Sequence, residues 1–190
     1  GGVNVAAVGG ITLDDNVLST GQDIAFNNPV TLTQNVSINT DAGFGNVTFA
    51  DTVDGANDLA VDAGTGDVTF AGDIGTTTAL SGLTVDGGNV AFQNIGNGGE
   101  GVTGSTTATA SASIDFNGTT YNANQQDYTA TGGTFSMNAG AATTFTSSQD
   151  LIQFSTGASV LADGTDLNIT TGAGAGNIQT AAIDGTSDEI

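Results

Sequence analysis

Asn46-Val47-Thr48-Phe49-Ala50-Asp51-Thr52-Val53-Asp54-Gly55 is echoed by Asp67-Val68-Thr69-Phe70-Ala71-Gly72-Asp73-Ile74-Gly75, with Val68 and Phe70 standing where Val47 and Phe49 stood. A third copy opens at Val90-Ala91-Phe92-Gln93-Asn94-Ile95-Gly96. The first two copies each lead to a second apolar doublet, Leu59/Val61 and then Leu83/Val85. The doublets fall at i and i+2, which sends both side chains to one face of an extended strand. One such unit is too small to bury that face alone, so successive copies must stack. A period of about 22 residues with short strands predicts one turn of a β-solenoid.

Outward from this stretch the same vocabulary continues. Before it stand Val3/Val5, Ile11/Leu13, Ile24/Phe26, Val30/Leu32 and Val36/Ile38, separated by Gly9-Gly10, Asp14-Asp15-Asn16, Asn27-Asn28-Pro29 and Asp41-Ala42-Gly43. The separators are turn chemistry, because Asn, Asp and Gly tolerate left-handed backbone and bond their own neighbours. After it come Ile114/Phe116, Phe135/Met137, Phe145, Ile152/Phe154, Val160, Leu167/Ile169 and Ile178. Residues 97–112 break the rhythm with small side chains. They form either a surface loop or an irregular rung filled by Ala108, Ala110 and Ala112. We read residues 1–190 as a single β-solenoid segment. No window shows helical apolar spacing, and an antiparallel sandwich has no reason to repeat the same residue types in the same order.

Composition excludes several classes of function. The chain holds 20 acidic residues and no Lys, Arg or His. Phosphate-backbone recognition depends on Lys and Arg displacing counter-ions, so no nucleic-acid partner is expected. Without His, Cys or Lys, general acid–base work would fall on carboxylates or on Tyr121 and Tyr128, and no enzyme is expected. Zero Cys removes disulfides and thiolate chemistry. No apolar run is long enough for a membrane-spanning helix, so membrane insertion of this segment is not expected. The repeat-like sequence at both ends reads as a processed product or a slice of something much longer.

The combination of Val-Thr-Phe-Ala, an Asp-Gly or Gly-Asp turn, Asp58-Leu59-Ala60-Val61-Asp62-Ala63-Gly64-Thr65-Gly66-Asp67 and Leu83-Thr84-Val85-Asp86 resembles the repeats of large bacterial surface proteins. These are of the filamentous-haemagglutinin and autotransporter-adhesin type. The resemblance extends to Gly118-Thr119-Thr120-Tyr121-Asn122-Ala123-Asn124-Gln125. It implies an all-β, right-handed parallel β-helix with rungs of about 22 residues, exported to the cell surface or beyond.

Several sites are expected on residue chemistry. Asp14/Asp15, Asp51/Asp54/Asp58, Asp62/Asp67 and Asp163/Asp166 set hard oxygen ligands beside glycine turns, which suits calcium, although no cofactor is required. The bland alternative is that these carboxylates cap turns. Tyr121, Gln125, Gln126 and Tyr128, if exposed, would be the first candidates for a glycan or protein ligand. The Gly-rich run at 172–176 lacks the Lys of a phosphate loop and reads as a turn. Thr-x-Thr pairs at Thr31/Thr33, Thr107/Thr109 and Thr129/Thr131 are too irregular for an ice-binding face. Asn35, Asn46, Asn117 and Asn168 head glycosylation sequons. The function expected is a structural repeat of an extracellular fibre or adhesin stalk. Its partners would be flanking repeats or further copies stacked end to end. The alternative is a glycan- or protein-binding adhesin module.

Overall fold

A computed structural model describes residues 1–40, 43–148, 150–161, 166–172 and 176–185. The described residues contain no helix, and every strand pairing among them is parallel. The chain coils as a β-solenoid. Its first sheet stacks nine strands, Val3–Val5, Ile24–Phe26, Val47–Phe49, Val68–Phe70, Val90–Phe92, Ile114–Phe116, Thr134–Met137, Ala158–Leu161 and Ile183–Gly185. Register on this sheet advances by one rung at each step, from Val3 opposite Ile24 to Ser159 opposite Ile183. At about 4.8 Å per rung the eight steps span roughly 38 Å.

Two further sheets close each rung into three sides. The second begins with Ile11–Leu13, Val30–Leu32 and Val53–Asp54. It thins to the single residues Ile74 and Ile95, then resumes at Tyr121 and continues through Thr143–Thr146 and Leu167–Thr170. The third runs through Val17–Leu18, Val36–Asn39, Asp58–Asp62, Gly82–Gly87, Val102–Ala110, Thr120–Ala130, Ile152–Ser155 and Ile178–Thr180. Thr120–Ala130 serves both sheets, pairing with Thr143–Thr146 through its first residues and with Ile152–Ser155 through its later ones. Residues 102–110 are therefore a rung, with Ala108 and Ala110 fully buried where other rungs place larger side chains.

Along the middle of the coil the doublets turn inward. Val47/Phe49, Val68/Phe70 and Val90/Phe92 are buried, one pair above the next. Their rings stack face to face as one column from Phe26 through Phe49, Phe70 and Phe92 to Phe116, with centroids 4.7 to 6.2 Å apart. Beyond Phe116 this column of the first sheet continues with Met137, and the stacking passes to the other two sheets. Tyr121 lies over Phe145 and Tyr128 over Phe154. At the corner between the second and third sheets Gly75 takes φ 66° against Gly101. A Cβ there would meet the Gly101 carbonyl oxygen, so no other residue fits without moving the next rung.

Candidate functional site

Three of the four residues expected to meet a ligand lie inside the coil. Tyr121, Gln126 and Tyr128 are all 0% exposed, which corrects their expected place on an outer face. The in/out alternation of Thr120–Ala130 slips at Asn124–Gln125, where two successive side chains are half-buried, and the strand bends from the second sheet into the third. That slip turns Gln126 inward. Its Nε2 donates to the carbonyls of Tyr121 (3.2 Å) and Thr146 (2.7 Å), and its Oε1 accepts from the Tyr128 hydroxyl at 3.0 Å. The Tyr121 hydroxyl accepts from the Gly118 N–H at 2.8 Å. Burial pushes the Tyr121 phenol up from its ordinary value, opposed by the Gly118 hydrogen bond and reinforced by the Asp73 charge. Burial, with Tyr121 beside it, raises Tyr128 well above its usual value. Both stay protonated and serve as core hydrogen-bonding groups. Gln125 alone of the four remains half-buried at the corner.

The sequence neighbours Asp51, Asp54 and Asp58 separate rather than gather. They fall at a corner, on the second sheet and at the start of the third. The rung diverts each to a different side. Among the described residues no three acidic groups come together to hold a metal ion. Asp163 lies outside the described residues, as do Asp41-Ala42 and 173–175, and Asp166 is exposed.

What the carboxylates do is cap turns and the neighbouring rung. Asp15 accepts from the Asn16 N–H, Asp51 from the Thr52 N–H, and Asp54 from the N–H groups of Thr77 and Thr78. Asp58 pairs with Asn35, and Asp62 accepts from the Asn39 amide and the Gly64 N–H. Asp14 is exposed. A ladder that sequence reasoning misses runs up the corner before the first sheet. Asn46 donates its N–H to Asp23, Asp67 to Asn46, and Asn89 to Asp67, all at 2.8 to 2.9 Å, and the Ser113 hydroxyl donates to Asn89. Its signal is present in the chain, since Asp23, Asn46, Asp67 and Asn89 each immediately precede a first-sheet doublet. Asp67→Ala removes an acceptor that takes both the N–H and the side-chain amide of Asn89. We expect a loss of about 1 kcal/mol, read as a fall of a few degrees in melting temperature.

Two carboxylates are unfavourably placed. Asp86 sits in register with Asp62 on the third sheet. Partial burial, then the Asp62 charge, raises its pKa. Asp127, raised by partial burial, has one buried carboxylate oxygen without a hydrogen-bond partner. An acid whose folded pKa is raised binds more protons folded than unfolded, so its contribution to stability falls as pH rises from the ordinary carboxylate value through the raised one. Asp127→Asn is therefore expected to raise the melting temperature at pH 7, with the gain vanishing below about pH 4. Melting curves of both proteins across that range check it.

A hollow of about 520 Å³ on the third sheet is bordered by Asp58, Ser81, Thr84 and Ser105, with no aromatic platform. Among the described residues no helix is long and apolar enough to cross a membrane. The chain matches no protein-family model, and no curated protein or solved structure matches it.

Proposed function

We propose that this chain is a structural, non-catalytic segment of an extracellular or cell-surface fibre or adhesin stalk, joined through its rung ends to flanking repeats or to further copies. The observation that supports this reading is the parallel stack itself, nine strands deep on its first sheet, in which each rung pairs with the rungs above and below it. Inward positions are fully buried along the middle of the coil, as at Ile24, Val47, Val68, Val90 and Ile114. At one end, however, Val3, Val5 and Val17 are only partly covered. At the other, Ile178 and Ile183 stand 49% and 51% exposed with no described rung over them. Among the described residues the outer strand edges there have no neighbouring strand, and such edges template further pairing.

An N-terminal rung stacking on a C-terminal one is a heterologous contact that does not close on itself, so it builds a filament. The surface location rests on the resemblance of the repeats to those of bacterial surface proteins. The rival reading, a ligand-binding module, loses support from the burial of Tyr121, Gln126 and Tyr128. Electron microscopy of the purified chain tests the proposal. Rods several times the length of one coil are expected, and Val3→Asp with Ile183→Asp should return them to single length. A strictly monomeric species that binds a glycan array would overturn it.

A further inference from the structure

The chain twice carries a dipeptide whose backbone can attack its own side chain, Asn97-Gly98 and Asn117-Gly118. In such a pair the glycine nitrogen is one ring closure away from the asparagine Cγ, and the missing Cβ leaves the approach unhindered. The reaction requires that nitrogen to be free of hydrogen bonds and able to swing toward the side chain. The fold meets this condition at one pair and denies it at the other.

Asn117-Gly118 is locked into the stack. The Asn117 N–H donates to the Phe92 carbonyl at 2.8 Å, and its side-chain oxygen accepts from the Asn138 amide at 3.2 Å. The Gly118 N–H, whose nitrogen would have to attack, donates to the fully buried Tyr121 hydroxyl at 2.8 Å. Gly118 is itself buried, and a Cβ on it would come within 2.6 Å of the Asn94 nitrogen on the preceding rung. Asn97-Gly98, by contrast, lies at the corner between the second and third sheets, outside the ladders. Both residues are exposed, and Gly98 takes φ 85° with open space around it. Among the described residues neither the Asn97 side chain nor the Gly98 N–H has a hydrogen-bond partner. The chain is pinned on either side of the pair, where the Gly96 N–H donates to the Ile74 carbonyl and the Gly101 N–H to that of Asn122.

The geometry points to Asn97 as a site of self-modification. The Gly98 nitrogen gives up its proton and bonds to the Asn97 Cγ; the Cγ–Nδ2 bond breaks, and the side-chain nitrogen takes up a proton and leaves as ammonia. Water then opens the cyclic imide at either carbonyl. One opening gives aspartate, the other isoaspartate, in which the main chain runs through the former side chain. Water is the only co-reactant. Each event adds a carboxylate near Glu100, and the corner held at Gly96 and Gly101 absorbs the change outside the strand ladders. The molecule thus records its age at one surface position while the matching pair in the wall of the coil is preserved.

The test incubates the folded protein at mildly alkaline pH and follows both asparagines by cleavage at acidic residues and mass spectrometry. Isoaspartate is quantified by enzymatic carboxyl methylation. Asn97 is expected to react at least about tenfold faster than Asn117, equivalent to about 1.4 kcal/mol for opening the contacts of Gly118. In denaturant, where both pairs are exposed, the two rates should converge. Similar rates in the folded protein, or a faster Asn117, overturn the proposal. A difference that persists in denaturant overturns it too, because the flanking residues and not the fold would then set the rates. Failure of Asn97 to yield isoaspartate is equally fatal.

Discussion

Phe116→Ala is expected to destabilise the protein by about 4 kcal/mol, lowering the melting temperature on the order of 10 °C for a chain of this length. Phe116 is the ring on which the aromatic packing turns. It continues the stack above Phe92, and it presents its face or edge to Tyr121, Tyr128 and Phe145 at centroid distances of 4.8 to 4.9 Å, with Phe154 at 6.1 Å. It is fully buried. Removing it takes contact from all three sheets at once, and strands held above and below by backbone ladders cannot collapse to fill the void. Phe44→Ala is the control, since Phe44 is 83% exposed and its loss should leave thermal stability almost unchanged. Thermal denaturation by circular dichroism decides the matter. Equal effects at the two positions would refute the account.

Gln126→Ala should be comparably severe, at about 4 kcal/mol. The side chain satisfies two backbone carbonyls, of Tyr121 and Thr146, and accepts the hydrogen bond that the Tyr128 hydroxyl donates. Truncation takes a partner from three polar groups at once, and the resulting desolvation exceeds what any single hydrogen bond contributes. Gln126→Leu restores the volume but not the bonds, so it should recover only part of the loss. Full recovery by Leu would mean that Gln126 acts by filling space. Chemical denaturation of the three proteins separates the two contributions.

Much of the coil is legible in the sequence because its dominant signal is local. A doublet at i and i+2 reports an inward face, and its return after about 22 residues reports the rung. The stacked pairs Ile24/Phe26, Val47/Phe49 and Val68/Phe70 need nothing more. The Ala-rich stretch is ambiguous because small residues carry little periodic signal; its neighbours in register, Val85 and Tyr128 on either side of Ala108, are what make it a rung. The second sheet is harder to see. In two rungs it shrinks to a lone Ile74 or Ile95, and a single apolar residue has no partner at i+2 to announce a strand. The tyrosines and glutamines are hard to place for a different reason. Alternation counted forward from Tyr121 sends Gln125 inward, while alternation counted back from Tyr128 sends Gln126 inward. Only the bend at Asn124–Gln125 reconciles the two counts. Asp51, Asp54 and Asp58 part because proximity along the chain is not proximity in space when each rung turns three corners.

The migration of the aromatic stack from one sheet to the other two divides the molecule dynamically. A rung touches little besides the rungs above and below it, so opening begins at the extremities and advances inward one layer at a time. The knot of rings around Phe116 is where both advancing fronts stall. Amide exchange should accordingly be slowest across residues 114–130 and quicken in both directions away from them, so that the coil behaves as two arms fraying independently from a shared, rigid waist.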